Sequence, residues 1–259
     1  MILIGTSGFS YNDWKGVFYP EDIELSEMLE YYSRYFNALE VNYTYYSLPS
    51  VRTISSLIKK SNGRVHFSVK AHKDITHSKT LPTGIFDRFK EGIKPLVESN
   101  LLDAILVQFP WSFKPISEAI QRLNEIKDGF GELPVAVEFR NSDWDKEDTV
   151  NLLRELEFAY CIVDEPHIKG LMPFRNWITY NLSYFRFHGR NSAKWYNYKE
   201  PWERYDYLYS RDELSELSGY IKEAHRAVPK VLVFMNNHPL GKAVENAREL
   251  MGILSEEIL

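Results

Sequence analysis

The sequence predicts an α/β protein in which one domain, residues 1–259, folds as a closed parallel (β/α)8 barrel. Three observations point there. Eight short apolar runs rich in Val, Ile, Phe and Tyr recur along the 259 residues, and this barrel commonly uses about 250 residues as one domain. Helix-patterned stretches separate most of the runs, giving the strand–helix alternation of a parallel sheet. The rival, an open doubly wound sheet, is weakened because no GxGxxG or Walker-type phosphate loop follows the first run.

In chain order, ILIGTS (2–7) is the first strand, and it runs into the small-residue segment GTSGFSY. LSEMLEYYSRYF (25–36) then places Leu25, Met28, Leu29, Tyr32 and Phe36 on one helical face. LEVNYTYY (39–46) is the second strand, with SVRTISSLIKKS as the helix after it, and HFSVKAH (66–72) is the third. TGIFDRFKEGIKPLVES leads to AILVQFP (104–110), and SEAIQRLNEIK to VAVEFRN (135–141). DTVNLLRELEF (148–158) precedes AYCIVDEP (159–166), and YFRFHGR (184–190) is the seventh strand. RDELSELSGYIKEAH (211–225), VLVFMNNHP (231–239) and KAVENARELMGIL close the series. Two connections are long, 73–82 after the third strand and 189–210 after the seventh. Long insertions after barrel strands lie at the C-terminal face, where ligands bind.

Composition narrows the classes. Hydrophobic residues make up 44%, enough for a large core, and 31 basic against 36 acidic residues leave a net charge of −5, unlike a general nucleic-acid coat protein. The single cysteine, Cys161, rules out an intramolecular disulfide and fits a small core residue. The N-terminal stretch lacks the features of a signal peptide, and no run approaches a membrane span, so a cytoplasmic protein without a membrane partner is expected.

Alternate residues of a barrel strand point inward, and near the C-terminal end they face the mouth. On that parity the strands offer Gly5 and Ser7, Glu40 and Asn42, Ser68, Lys70 and His72, Gln108, Glu138 and Arg140, Asp164, Arg186 and His188, and Asn236 and His238. The other parity is largely apolar: Leu39, Val41, Phe67, Val69, Val107, Phe109, Val137, Phe139, Phe185 and Phe187. Charges gathered in one mouth must pair with each other or bind something. An ionic plug meets that need as well as a working site does, but it costs stability relative to apolar packing, which favours function for the ensemble. For Glu40, deepest in its strand, a structural pair with Lys or Arg is the stronger reading.

The strand-end segments resemble the YecE-like family, domain of unknown function 72. The motifs are GTSGFSYNDWKGVFYP (5–20), EVNYTYYSLP (40–49), FSVKAHKDITH (67–77), LVQFPWSF (106–113), VEFRNSDW (137–144), DEP (164–166), YFRFHGR (184–190) and FMNNHPLGKAVENA (234–247). Eight ordered motifs spanning nearly the whole chain make the resemblance specific. It implies a TIM-type (β/α)8 barrel and no particular reaction. The sequence departs from the pattern at Asn141, where the family has His after the Arg, so no imidazole is available there; Phe9 and Tyr45 are milder aromatic exchanges.

The residues themselves suggest an enzyme, a hydrolase or an isomerase, acting on a phosphate-bearing or anionic sugar or nucleotide. Glu138 and Asp164 are the acid–base candidates, with Glu40 and His188 beside them. Arg140 and Arg186 are suited to hold an anion bidentately, with Lys70 as a point charge. Asn42, Gln108, His72 and Asn236 would orient the ligand. Trp195 lies in an aromatic and cationic loop suited to stacking on bases or sugars, and Trp14, Trp111 and Trp144 would extend that rim. Two alternatives fit the same residues: a non-catalytic nucleic-acid or nucleotide binding protein, and a metal-dependent phosphodiesterase or nuclease of the endonuclease IV kind. For a divalent metal, Glu138, Asp164, His72, His188, Asn236 and His238 offer N and O donors. No HxH, HExxH or paired-carboxylate spacing appears, however, so no residue is assigned as a metal ligand.

Overall fold

In a computed structural model that describes residues 1–256, eight parallel strands close into a barrel in sequence order. They are β1 (Ile2–Ser7), β2 (Ala38–Val41), β3 (His66–Lys70), β4 (Leu102–Gln108), β5 (Val135–Glu138), β6 (Ala159–Asp164), β7 (Leu182–Phe187) and β8 (Lys230–Met235). Each expected run holds a strand. The second ends early: Tyr43–Tyr45 turns into a 3-10 helix instead of extending the strand to residue 46. The helices are α1 (Met28–Tyr32), α2 (Val51–Lys60), α3 (Lys73–Thr76), α4 (Ile85–Glu98), α5 (Ser117–Phe130), α6 (Glu147–Glu155), α7 (Arg211–Ala227) and α8 (Lys242–Glu256).

Local chemistry sets several boundaries. Ser50 accepts a hydrogen bond from the Thr53 N–H and starts α2, and Ser210 with Glu213 forms a reciprocal capping box at α7. His72 caps the short α3 by accepting from the Asp74 N–H. Between β6 and β7 the chain forms no helix among its described residues; that segment carries two prolines and a glycine. Leu171 and Met172 from this segment are buried, Met172 as part of the main core.

The register fixes which side chains enter the barrel. Ser7 pairs with Glu40 and Glu40 with Ser68 at one level, while Gln108 pairs with Glu138 further along the strands, Ser68 lying opposite Ala104. The outer parity is packed as expected: Leu39, Phe67, Val107, Phe109, Val137, Phe139, Phe185 and Phe187 are all buried under helices and loops. Truncating such a phenylalanine costs about 3–5 kcal/mol. Phe139 shows how this packing aims the site. Its ring lies against Trp144 (4.2 Å) and Phe109 (6.1 Å) outside the barrel, so its neighbours Glu138 and Arg140 turn inward.

β6 departs from the expected parity. Cys161 pairs with Tyr184 and Val163 with Arg186, both inward, whereas Asp164 pairs with the outward Phe187. Asp164 therefore faces α7 and the following loop. At the opposite end of the barrel, buried Asp103 links Lys230 of β8 to His66 of β3, the latter at 3.0 Å. No helix among the described residues is long and apolar enough to cross a membrane.

Candidate active site

The polar residues at the C-terminal end of the barrel form two layers. The lower one centres on Glu40, which is fully buried. Its carboxylate accepts from Ser7 Oγ (2.7 Å), Tyr184 Oη (2.8 Å), Arg186 Nε (2.9 Å) and Arg186 Nη2 (2.8 Å). Four donors use the whole acceptor capacity of a carboxylate. Ser68 is joined to the same group through Tyr184 Oη at 2.7 Å. Glu40 thus anchors Arg186 and has no lone pair left for a substrate, which corrects its place among the catalytic candidates.

Arg186 is likewise consumed. Besides Glu40, its Nη1 donates to Glu138 Oε2 (2.5 Å) and Gln108 Oε1 (3.0 Å). It is a buried crosslink between β2, β4, β5 and β7, not half of an anion clamp. Gln108 also spends its oxygen internally, accepting from Lys70 Nζ at 3.0 Å.

The upper layer is less complete. Arg140 sits between two acids, with Nε 2.5 Å from Glu138 Oε1 and Nη1 3.1 Å from Glu165 Oε2. His188 Nε2 lies 3.4 Å from the same Glu138 oxygen, and Asn236 Nδ2 lies 2.8 Å from His188 Nδ1. An amide N–H at Nδ1 makes that nitrogen the acceptor and places the imidazole proton on Nε2, facing Glu138. Glu138 Oε1, Arg140 Nε and His188 Nε2 are matched only to one another as ion-pair contacts, and Asn42 Oδ1 is buried with no hydrogen-bond partner among the described residues. Buried polar atoms are ordinarily satisfied, so three that share one contact set beside a fourth with none leave this barrel end suited to a polar ligand.

The two carboxyls flanking Arg140 differ in proton affinity. Burial alone would raise Glu138, but the guanidinium groups of Arg140 and Arg186 outweigh it and hold its carboxyl well below the usual range. For Glu165 burial wins over Arg140, and its carboxyl is raised to about 7. Burial, aided by the Arg140 charge, pushes His188 down to about 3, so its imidazole is a neutral donor rather than the acid–base group expected. Lys70 comes down to about 8, first through burial and then through the Arg186 charge. Burial also raises the Cys161 thiol well above its ordinary value, which leaves it an inert lining residue 3.8 Å from Glu138 Oε2.

Three expected residues lie elsewhere. Asp164 pairs with Arg190 (Oδ1 to Nη2, 2.8 Å) and accepts from Tyr209 Oη (2.6 Å), while Arg190 reaches Glu213 of α7. His72 serves α3 as its cap. Trp195 is buried, its ring edge-on to Tyr205 within a loop that folds on itself through the Lys194–Glu203 pair and is tied to α8 by Lys242–Asp206. Of the other tryptophans, Trp14 and Trp144 are also buried, whereas Trp111 and Trp202 are exposed. Asn141 caps the turn Ser142–Trp144 and donates to the Trp111 carbonyl.

The residues missed from sequence are Glu165 and the true aromatic wall. Tyr11 stacks on His238 with centroids 4.6 Å apart and planes at 7°, Tyr205 lies 6.0 Å from His238 and 6.1 Å from His188, and the Tyr45 ring sits 4.8 Å from Lys70 Nζ. Burial lowers His238 to about 4, so it too is neutral. The signal for Glu165 was present: the DEP motif carries two adjacent acids, and counting inward from Val163 selects the second.

Fold and site together define a TIM-type (β/α)8-barrel protein with a buried ionic floor and an incompletely paired, aromatic-walled mouth. A family model described as "Protein of unknown function DUF72" matches residues 3–258, and the chain belongs to that family. It is 30% identical to the UPF0759 protein YunF of Bacillus subtilis (strain 168), over 99% of this chain and 96% of that one. A DUF72 family protein of Thermotoga maritima MSB8, solved by crystallography, superposes with a TM-score of 0.92 at 39% identity, covering 98% of this chain and 99% of its own. Another, from Enterococcus faecalis V583, gives 0.87 at 30% identity, covering 98% and 96%.

Proposed function

We propose that the chain is an enzyme of the hydrolase or isomerase kind that performs carboxylate acid–base chemistry on an anionic or phosphate-bearing sugar or nucleotide. The observation that carries this reading is the Glu165–Arg140–Glu138 arrangement: two buried carboxyls flank one guanidinium and are driven to different protonation states. Glu165, near neutrality, gives a proton to a substrate oxygen and takes it back. Glu138 stays anionic and steadies positive charge developing opposite it. Arg140 and Lys70 attract the substrate's anionic group, because Arg186 is already saturated. Tyr11, Tyr205 and His238 offer ring faces to a sugar or base.

The test is a thermal-shift panel of phosphate, sugar phosphates, mononucleotides, short oligonucleotides and neutral sugars, each with and without Mn²⁺ or Zn²⁺. A ligand at a hundred times its dissociation constant adds about 2.7 kcal/mol, several degrees of shift. A phosphorylated compound that stabilises the protein is then assayed for turnover with Glu165→Gln. Stabilisation without any loss in that variant assigns the mouth to binding alone. Absence of any shift across the panel leaves the mouth as an ionic plug.

A further inference from the structure

We propose that Lys70 is a nucleophile that forms an imine with an aldehyde or ketone bearing a phosphate or carboxylate group. This rests on the reading of the mouth as an active site, and it changes Lys70 from an electrostatic partner into a covalent one.

The argument starts from unequal pairing. Three cations enter the barrel mouth. Arg140 meets Glu138 and Glu165, and Arg186 meets Glu40 and Glu138. Lys70, at the C-terminal end of β3, has no carboxylate within ion-pair distance among the described residues. Its Nζ donates to Gln108 Oε1 at 3.0 Å, and Arg186 Nη1 donates to that same oxygen at 3.0 Å. An ammonium and a guanidinium therefore crowd one neutral acceptor. Glu40 and Glu138 favour the charged amine from further off, while burial, Arg186 and Arg140 oppose it, and the balance falls toward the free amine at about 8. The Tyr45 face, 4.8 Å away, offsets only part of this. A desolvated lysine beside another cation is the setting in which a reactive fraction of the amine is unprotonated near neutral pH.

The surroundings supply what imine formation needs. The Nζ lone pair adds to the carbonyl carbon, and the oxygen takes a proton from Glu165 to give a carbinolamine. The nitrogen gives one proton to the Glu165 carboxylate, which passes it to the hydroxyl; the C–O bond breaks as the nitrogen lone pair forms the C=N bond, water leaves, and the iminium loses its remaining N–H proton to Glu165. One amine and one carbonyl thus become one imine and one water. Arg140, whose Nη2 makes no hydrogen bond among the described residues, receives the substrate's anionic group. Neither oxidant nor metal is required.

The test uses the intact protein with glycolaldehyde phosphate, glycolaldehyde as the neutral counterpart, and pyruvate, each with sodium cyanoborohydride. Hydride reduces the iminium to a stable secondary amine, which intact mass and peptide mapping locate. Labelling is followed at several pH values from 6.5 to 9 for every lysine. Lys70 should label at least about tenfold faster than any surface lysine at pH 7.5, because its free-amine fraction is far larger there. The anionic probes should react faster than glycolaldehyde, and Lys70→Met should remove the adduct. Wild-type site-resolved rates decide the question even if that variant folds poorly. Labelling of Lys70 no faster than that of exposed lysines overturns the proposal. Glu165→Gln separates the two readings. A Lys70 adduct that forms at the same rate in that variant keeps the imine and removes Glu165 from acid–base work. Turnover that depends on Glu165, with no Lys70 adduct, removes the imine alone.

Discussion

The sharpest consequence of the site concerns Glu165→Gln. In the native protein the Glu165 carboxyl is raised from 4.5 to about 7, chiefly by burial. Below pH 4.5 folded and unfolded chains both hold this proton, and the group is neutral toward stability. Between 4.5 and 7 the unfolded chain releases it while the folded chain keeps it, so stability falls as pH rises. Above 7 the loss is complete, and at about 1.4 kcal/mol per pH unit it amounts to about 3 kcal/mol. Glutamine has nearly the same shape, retains an acceptor for Arg140, and has no proton to lose. The variant should therefore match the wild type near pH 4.5 and exceed it by up to about 3 kcal/mol at pH 8. Urea unfolding of both proteins at half-unit steps from pH 4.5 to 8.5 measures the gap. Parallel curves would refute the raised carboxyl. A wild type that gains on the variant as pH rises would make Glu165 an ordinary ion-pair partner of Arg140.

Other perturbations test the division between floor, wall and mouth. Asp164→Asn breaks a buried pair with Arg190 and should cost about 3–5 kcal/mol in stability while leaving any ligand-induced thermal shift intact; a selective loss of that shift would return Asp164 to the site. Arg186→Met strands Glu40 and leaves Glu138 with Arg140 alone, and should cost a similar amount, with Glu40→Gln in the same chain recovering part of it, as a double-mutant cycle by urea unfolding would show. The His188 imidazole should remain neutral, protonated on Nε2, down to about pH 4 in ¹⁵N-resolved spectra, because burial and Arg140 hold it at about 3. Titration between pH 6 and 7 would make it the acid–base group after all.

The barrel was legible because its two periodicities are strong: apolar and polar residues alternate in each strand, and helix faces repeat between them. Five strands, β2 to β5 and β7, also revealed which parity faces inward, since a polar residue near the end, such as Glu138 or Arg186, contrasts with apolar neighbours on either side. β6 offered no such contrast. In AYCIVDEP both parities are apolar up to residue 163, and two acids follow in succession. Either acid satisfies a count made from the end of the strand; only the pairing of Val163 with Arg186 and Asp164 with Phe187 decides. Saturation was equally hidden, because sequence counts cations and acids but not bonds. Three cations against three acids looked balanced, yet Arg186 and Arg140 each bridge two carboxylates and Lys70 is left with an amide oxygen. The unequal sharing carries the chemistry. An evenly paired mouth would hold every titratable group near its charged state, whereas this one leaves a carboxyl near 7 and an amine near 8 at the same barrel end.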